Sequence, residues 1–344
     1  MSTIEPNVAG ETQARVGNGF SGKDDQLLQV TGLGTAFHTS GGVVHAVKDV
    51  TFSVNVGEKV GIMGETGCGK SVTIRSILGL IRPPGRVESG SVVFAGSDLL
   101  KASRPDLQAT RGRNIGFIPQ NPWGALNPIY RVRRQFANVL RLDSSIPRQR
   151  WDSIAEDMLR RVEIVEPQRV LRAYAHELSG GMAQRVVIAI ALSRNPRLVI
   201  ADEPTTALDV TVQRSVLDLI NELVTSQQRA LLIVTHDLGI ISQYCDRVVV
   251  MFSARVMESG SVKTVFSSPT HPYTKDLLAA VRLSASDASG REHGVVPAPA
   301  IQGCPYSTRC AFAEAKCVEE TPTLEWASDR ERAVACHFPL SKLG

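Results

Sequence analysis

The chain has 344 residues, 43% of them hydrophobic and 21% charged, with a net charge of +4. This length predicts one large domain plus an addition, and the composition is that of a protein able to bury an ordinary core. So small a charge, with only 5% aromatic residues, argues against nucleic acid as the main partner, which demands a concentrated basic face or stacking platforms.

No stretch approaches the ~20 apolar residues that span a bilayer. The first residues, MSTIEPNVAGETQAR, lack a basic region followed by an apolar core, so the expectation is a cytoplasmic protein. Four of the six cysteines crowd the last forty-odd residues. In a reducing compartment such a cluster suggests metal ligation more than disulfides.

Residues 1–26 are polar and aperiodic and read as a flexible tail. Order begins near Leu27, and Val50, Phe52, Val54 and Val56 alternate with polar residues as in a half-buried strand. Ser40-Gly41-Gly42 is a turn signal, so antiparallel strands are expected first. Phe37, on this hairpin, is placed either to stack on an adenine ring or simply to pack within the hairpin.

An apolar run (Val60, Ile62, Met63) then leads into Gly64–Ser71, GETGCGKS, and on to a helix-like segment. Strand, Gly-rich loop and helix in that order are the context in which GxxxxGK[ST] signifies a phosphate loop. Gly64, Gly67 and Gly69 let backbone N–H groups turn inward where a Cβ would obstruct. The helix N-terminus adds its positive dipole end, Lys70 reaches outer phosphates, and Ser71 offers a hydroxyl to Mg²⁺. Cys68 reads either as a thiol activated by that dipole, whose alkylation ATP would suppress, or as a small residue tolerated there.

Strands follow at Ser91–Ala95 and Asn114–Ile118, the second leading to Gln120 in IPQNPWGALNP, a connection too rich in Pro and Asn to be helix. Between about 130 and 180 the pattern is helical, with Trp151, Ile154, Met158, Leu159 and Val162 on one face. This predicts a helical subdomain inserted in a strand-rich core. HELSGGMAQR opens another helix, and RLVIADEP sets a doubly buried strand before Asp202 and Glu203. Ligand chemistry in parallel sheets lies at the carboxyl ends of strands, where these acids fall. Ala230–Val234 is a similar strand ending at Thr235-His236-Asp237, and strands at Arg247–Met251 and Arg255–Glu258 are expected to close the sheet. Beyond Phe266 come HPYT, a short helix (Leu277–Val281), a Ser/Gly/Pro linker at Ser284–Ala300, and a tail with Cys304, Cys310, Cys317 and Cys336.

The ordered set GETGCGKS, Gln120, LSGGM, LVIADEP, ALD and His236 resembles the nucleotide-binding subunit of ABC transporters over roughly residues 27–265. The resemblance implies an α/β P-loop NTPase fold: a RecA-like mixed sheet, an antiparallel β subdomain and a helical subdomain, here with a Cys-rich extension at 266–344. It implies ATP and Mg²⁺ held by Gly64, Glu65, Thr66, Gly67, Cys68, Gly69, Lys70, Ser71 and Val72, with Phe37 at the base. Ser71, Gln120 and Asp202 would face the Mg²⁺. Glu203 would polarise the attacking water, His236 would contact the γ-phosphate, and Gln120 would couple the site to a membrane partner. Two such domains bind ATP head to tail, so Ser179, Gly180 and Gly181 would face the γ-phosphate of the opposite subunit, with Asp209 bridging between them. Met182 in place of the usual Gln, and PQN in place of FQD around Gln120, depart from the common pattern.

HPYTKDLL and GCPYSTRC…KC…VACHF, with AVKDV and IPQNPWGALNP, resemble the oligopeptide/dipeptide importer ATPases, a group that includes nickel importers. By chemistry alone, four thiols at C-x5-C-x6-C-x18-C suit Fe–S or Zn²⁺, or remain unpaired or oxidised. The resemblance assigns Cys304, Cys310, Cys317 and Cys336 to a structural [4Fe–4S] cluster, with His337 either a competing ligand or solvent-facing. It further implies an ATPase driving di- or oligopeptide import, peripheral at the cytoplasmic face of the membrane. Two permease subunits, a second homologous ATPase and an extracytoplasmic solute-binding protein would be its partners. A nickel or other small-solute importer is the alternative. An exporter is disfavoured by the tail, and a soluble ABC ATPase of translation or repair by the single motif set.

Overall fold

The computed structural model describes residues 26–205, 209–286, 302–327 and 331–340. The predicted tail at 1–26, except Gln26, and most of the predicted linker lie outside them. Strands β1 (Gln26–Thr39) and β2 (Gly42–Asn55) form the expected antiparallel hairpin, turning at Ser40-Gly41. The chain then passes through β3 (Lys59–Met63), to which we return, before β4 (Gly85–Phe94) pairs with the free edge of β1. The two-residue β5 (Ser97–Asp98) completes a four-stranded sheet, ordered β2-β1-β4-β5.

The second sheet carries the site. β3 pairs in parallel with β8 (Ala230–Val234) and β9 (Arg247–Phe252), and β7 (Leu198–Asp202) joins β8 to β6 (Ile115–Ile118). The continuous apolar runs in β7, β8 and β9 have a direct physical cause, because both faces are covered. Leu198, Ile200, Leu232, Val234, Val249 and Met251 face a core shared with the antiparallel sheet. The alternate residues Val199, Ala201, Leu231, Ile233, Val248 and Val250 face a core shared with the helices.

The sheet does not close where the sequence suggests. β10 (Arg255–Ser261) returns antiparallel to β9, and its other edge is taken by the tail. β12 (Arg332–Val334) pairs Glu258 with Val334 and Gly260 with Arg332, and β11 (Glu325–Trp326) adds to β12. An edge strand left bare would expose unpaired backbone donors and acceptors; here the tail satisfies them. The eight strands run β11-β12-β10-β9-β3-β8-β7-β6.

Helices Val132–Leu140, Trp151–Arg161 and Pro167–Arg172 form the helical insert, burying Phe136, Leu140, Met158, Leu159 and Leu171 against the helix Gly180–Leu192. Two local expectations are corrected. IPQNPWGALNP does contain one helical turn, Pro122–Ala125, because the Asn121 side chain caps the Trp123 and Gly124 N–H groups and Pro122 needs no N–H partner at the first position. The helix after HPYT is not short but runs Pro272–Ser286, into the predicted linker.

Candidate active site

β3 ends at Met63, and the chain then winds through the phosphate loop into the helix Lys70–Ile77. Two of its glycines are required by both conformation and neighbours. Gly64 has φ 153 and a Cβ there would lie 2.1 Å from the Met251 carbonyl; Gly69 has φ 105 and its Cβ would lie 2.3 Å from the Ala46 carbonyl. Gly67 has φ 81 but opens onto free space. Lys70 is buried, and its Nζ donates to the Gly64 carbonyl at 2.8 Å and the Glu65 carbonyl at 3.0 Å. Its ammonium therefore sits within the loop, held by two backbone carbonyl oxygens. Glu65, Thr66 and Gly67 are exposed at the mouth, and Val72 packs inward against the core.

Cys68 is corrected. The helix dipole does not win: burial pushes its thiol up, outweighing the nearby Lys70 ammonium. The sulfur is packed behind the loop, close enough to Gly64 that a Cβ there would meet it at 2.8 Å. A buried, protonated thiol is a poor target for alkylation.

The other groups converge from the carboxyl ends of neighbouring strands, as expected for a parallel sheet. From β7, Asp202 is buried and accepts a hydrogen bond from the Ser71 hydroxyl at 2.9 Å. Burial raises the Asp202 pKa above the ordinary carboxylate value, while the Ser71 bond opposes the shift. A desolvated carboxylate beside a hydroxyl at the end of the phosphate loop is a donor set that fits Mg²⁺. Glu203 follows with φ 44, its N–H donating to the Val234 carbonyl at 2.9 Å. This left-handed residue turns the chain sharply out of the strand. The Glu203 carboxylate is then bracketed: Gln120 Nε2, just beyond β6, donates to Oε2 at 2.9 Å, and His236 Nδ1, just beyond β8, lies 3.4 Å from Oε1. Gln120, Glu203 and His236 thus form one cluster beside the Ser71–Asp202 pair.

Ser179, Gly180 and Gly181 are elsewhere. Ser179 caps the helix Gly180–Leu192, accepting from the Met182 N–H at 3.3 Å. No acid occupies the first turn, so the positive end of the helix is open to an anion. This turn borders a cavity lined by Arg169, Arg172, Val212 and Ser215, with no phosphate-loop residue among its walls. The Met182 side chain packs against the helical core, which explains why a thioether is accepted there. Asp209 is exposed and caps the next helix, Val210–Thr225, through the Val212 N–H; Ala207 and Leu208 of ALD lie outside the described residues. Phe37 is half-buried on the hairpin, opposite Val44 and against Gly85, two residues in register from the Ala46 carbonyl that abuts Gly69.

Sequence reasoning missed two side chains that touch the phosphate loop from the far C-terminal region. The Glu65 N–H donates to the Tyr273 hydroxyl at 3.2 Å, and Arg309 pairs with the Glu65 carboxylate at 3.1 Å. The only signals were the HPYT string and a lone arginine between cysteines.

Cys304, Cys310, Cys317 and Cys336 line one small cavity with His271, Tyr306 and His337. All four are unpaired thiols. Burial pushes the Cys304 and Cys310 thiols up and Cys336 to about 11. Among the described residues, no group of three or more His, Cys, Asp or Glu is arranged to hold a metal ion. His337 is directed instead to the Glu320 carbonyl at 3.0 Å.

A phosphate loop, a buried Asp beside its serine, a bracketed glutamate and a capped SGG helix on a mixed sheet define an ATP-binding cassette of the ABC type. Comparison with known proteins agrees. Residues 47–206 match the ABC transporter family, and residues 257–317 match the oligopeptide/dipeptide transporter C-terminal region. The dimeric structure of the ATP-binding cassette MJ0796 bound to ADP and phosphate superposes with a TM-score of 0.62 at 25% identity, covering 68% of this chain and 98% of that one. The oligopeptide transport ATP-binding protein OppD of Escherichia coli is 41% identical over 326 residues, 93% of this chain and 95% of OppD. The dipeptide transport ATP-binding protein DppD of the same organism is 39% identical, covering 92% and 98%. A probable peptide ABC transporter ATP-binding protein of Sinorhizobium fredii is 42% identical, covering 88% and 92%. The chain belongs to the family of peptide ABC transporter ATP-binding proteins, ATPases coupled to transport.

Proposed function

We propose that this chain hydrolyses ATP to drive the import of di- or oligopeptides through a membrane ABC importer. The observation that carries the reading is the Glu203 carboxylate held between Gln120 and His236, next to the Ser71–Asp202 pair. Lys70 and the N–H groups of the loop bind the outer phosphates, and Ser71 and Asp202 would hold Mg²⁺. When bound, that ion offsets phosphate charge. Glu203 accepts a proton from, and orients, the attacking water, while Gln120 and His236 hold its carboxylate and His236 turns toward the γ-phosphate. Phe37 would stack on the adenine. Ser179, Gly180 and Gly181 present a helix N-terminus to the nucleotide of a second, homologous ATPase, with Asp209 at the junction, which accounts for their separation from this chain's own loop.

The membrane partner is supported by an apolar groove lined by Leu80, Phe117, Leu126, Leu142 and Val187, whose wall also includes Pro119, next to Gln120 in the chain. Among the described residues no helix is long and apolar enough to cross a membrane. In this reading the chain lies at the cytoplasmic face, a permease subunit docks into this groove, and a second permease subunit and an outer solute-binding protein complete the importer.

For the cysteine cavity we propose a [4Fe–4S] cluster on Cys304, Cys310, Cys317 and Cys336, in a structural role. Zn²⁺ would draw four sulfurs to about 2.3 Å from one point, whereas a cubane cluster holds them farther apart. Four thiols around one cavity supply the four sulfur donors that such a cluster takes. When bound, such a cluster cross-links the tail. A colourless, iron-free protein after anaerobic purification would overturn it.

Glu203→Gln is the test of the catalytic reading. Phosphate release should fall by at least ~10²-fold, while binding of a fluorescent ATP analogue persists; wild-type turnover would exclude the assignment. Uptake of labelled peptides, against nickel, by a strain lacking the chain tests the cargo.

A further inference from the structure

Every polar group of Glu65, the second residue of the phosphate loop, is engaged. Its carbonyl accepts from Lys70 Nζ at 3.0 Å and from the Cys68 N–H at 3.2 Å, both within the loop. Its N–H and its carboxylate are held from outside the loop, by the Tyr273 hydroxyl at 3.2 Å and by Arg309 at 3.1 and 3.3 Å. Arg309 lies 244 positions away along the chain, so this junction is a property of the fold and not of the local motif.

The two outside groups are themselves firmly seated. Tyr273 and Phe252, at the end of β9, are each 2% exposed, with ring centroids 4.6 Å apart. Tyr306 meets Phe252 edge-on at 5.4 Å and Tyr273 at 5.3 Å. The Arg309 guanidinium rests 5.1 Å from the Phe252 ring centroid, and the Arg309 N–H closes the turn onto the Tyr306 carbonyl at 2.9 Å. The rings form a rigid plinth that fixes where the guanidinium and the hydroxyl point.

An acidic residue at the mouth of a polyphosphate site is an electrostatic liability. Its negative charge repels the ligand unless a cation offsets it. Lys70 does not meet this need: its ammonium lies against the Gly64 and Glu65 backbone carbonyls, not against the Glu65 carboxylate. We propose that Arg309 and Tyr273 are positioning residues for the phosphate loop: Arg309 offsets the Glu65 carboxylate, and Tyr273 fixes the Glu65 peptide. The HPYT segment and the turn between Cys304 and Cys310 thereby become part of the ATP site without touching ATP. This rests on the loop binding ATP, which the Lys70→Ala variant checks separately.

The experiment is a double-mutant cycle on the full chain, titrated with a fluorescent ATP analogue and magnesium. Arg309→Ala should weaken binding by about two- to fivefold, the range of a partly exposed ion pair, raising KM and leaving kcat. In a Glu65→Gln background the same change should alter affinity by less than about twofold. Arg309→Lys should restore part of the loss, and raising the salt concentration should shrink the Arg309→Ala penalty. An equal penalty in both backgrounds, or none in either, overturns the proposal. Should Arg309→Ala fail to fold, Arg309→Lys carries the same cycle with Glu65→Gln; Tyr273→Phe, which removes only the hydroxyl that the Glu65 N–H reaches, should weaken binding equally in both Glu65 backgrounds, and no loss in either overturns its part of the proposal.

Discussion

His271, the first residue of HPYT, makes the fold's stability depend on mildly acid pH. It is 1% exposed, and burial drives its pKa down from 6.5 to about 3. Its Nδ1 accepts the Tyr273 N–H at 3.0 Å, so protonation there would also forfeit that hydrogen bond. The folded state thus refuses a proton that the unfolded chain accepts below pH 6.5. Stability rises with pH wherever the unfolded state binds more protons, so this contribution is complete above pH 6.5 and is lost as pH falls toward 3. At pH 5 the loss is about 2 kcal/mol, worked from the two pKa values. Glu258, which accepts the His271 N–H at 2.9 Å, is pushed up by burial and acts in the opposite direction in the acid range. The wild-type curve is therefore a sum, and a variant isolates the histidine. His271→Asn keeps an acceptor for the Tyr273 N–H and removes the titration. Between pH 7.5 and 5, wild-type Tm should fall roughly 5 °C more than that of the variant. Parallel pH dependences in the two proteins would refute the reasoning.

Two further outcomes are expected. Gly64→Ala, which forces a Cβ into the Met251 carbonyl, should lower stability by roughly 3–5 kcal/mol from strain and overpacking together; Gly67→Ala, which meets nothing, should lower it by only ~1–2 kcal/mol. Equal melting points for the two, read by calorimetry, would contradict the packing argument. Cys68 should resist a small maleimide equally with and without ATP, and react only on unfolding; labelling that ATP suppresses would mean that the thiol is not buried as observed.

The phosphate loop, the Asp202-Glu203 pair and His236 were legible because each depends on a short segment and on the strand before it. Doubly buried strands announce themselves as unbroken apolar runs, and their carboxyl ends then locate the acids. What escaped depends on distant parts of the chain. β11 and β12, of two and three residues, are too short to carry a period, and only the bare edge of β10 gives them a partner. Cys68 allowed two readings because a local rule, the helix dipole, is opposed by a tertiary one, desolvation beneath Gly64, that the sequence does not show. The turn at Pro122–Ala125 was missed because Pro and Asn were read as breakers, when Asn121 as a cap and Pro122 at the first position are helix starters. The cysteine tail revealed a shared cavity but not the arginine beside it, since nothing near Arg309 hints at Glu65.

Asp202 and Glu203 show why adjacency in sequence did not reveal how their roles divide. Continuing the strand would have sent the Glu203 side chain to the sheet face opposite Asp202. Instead Glu203 takes φ 44, a conformation that costs a non-glycine residue about 1–2 kcal/mol, and the chain leaves the sheet at that point. Asp202 stays within the sheet, dehydrated and facing Ser71, where its charge has value only toward a cation. Glu203 is carried to the mouth, where Gln120 and His236 reach it from the strands on either side. The left-handed turn brings the Glu203 carboxylate between Gln120 and His236 while Asp202 keeps its bond from Ser71. The backbone here gives two adjacent carboxylates different surroundings, which side-chain identity alone could not; under the proposed function that division is between cation binding and water activation.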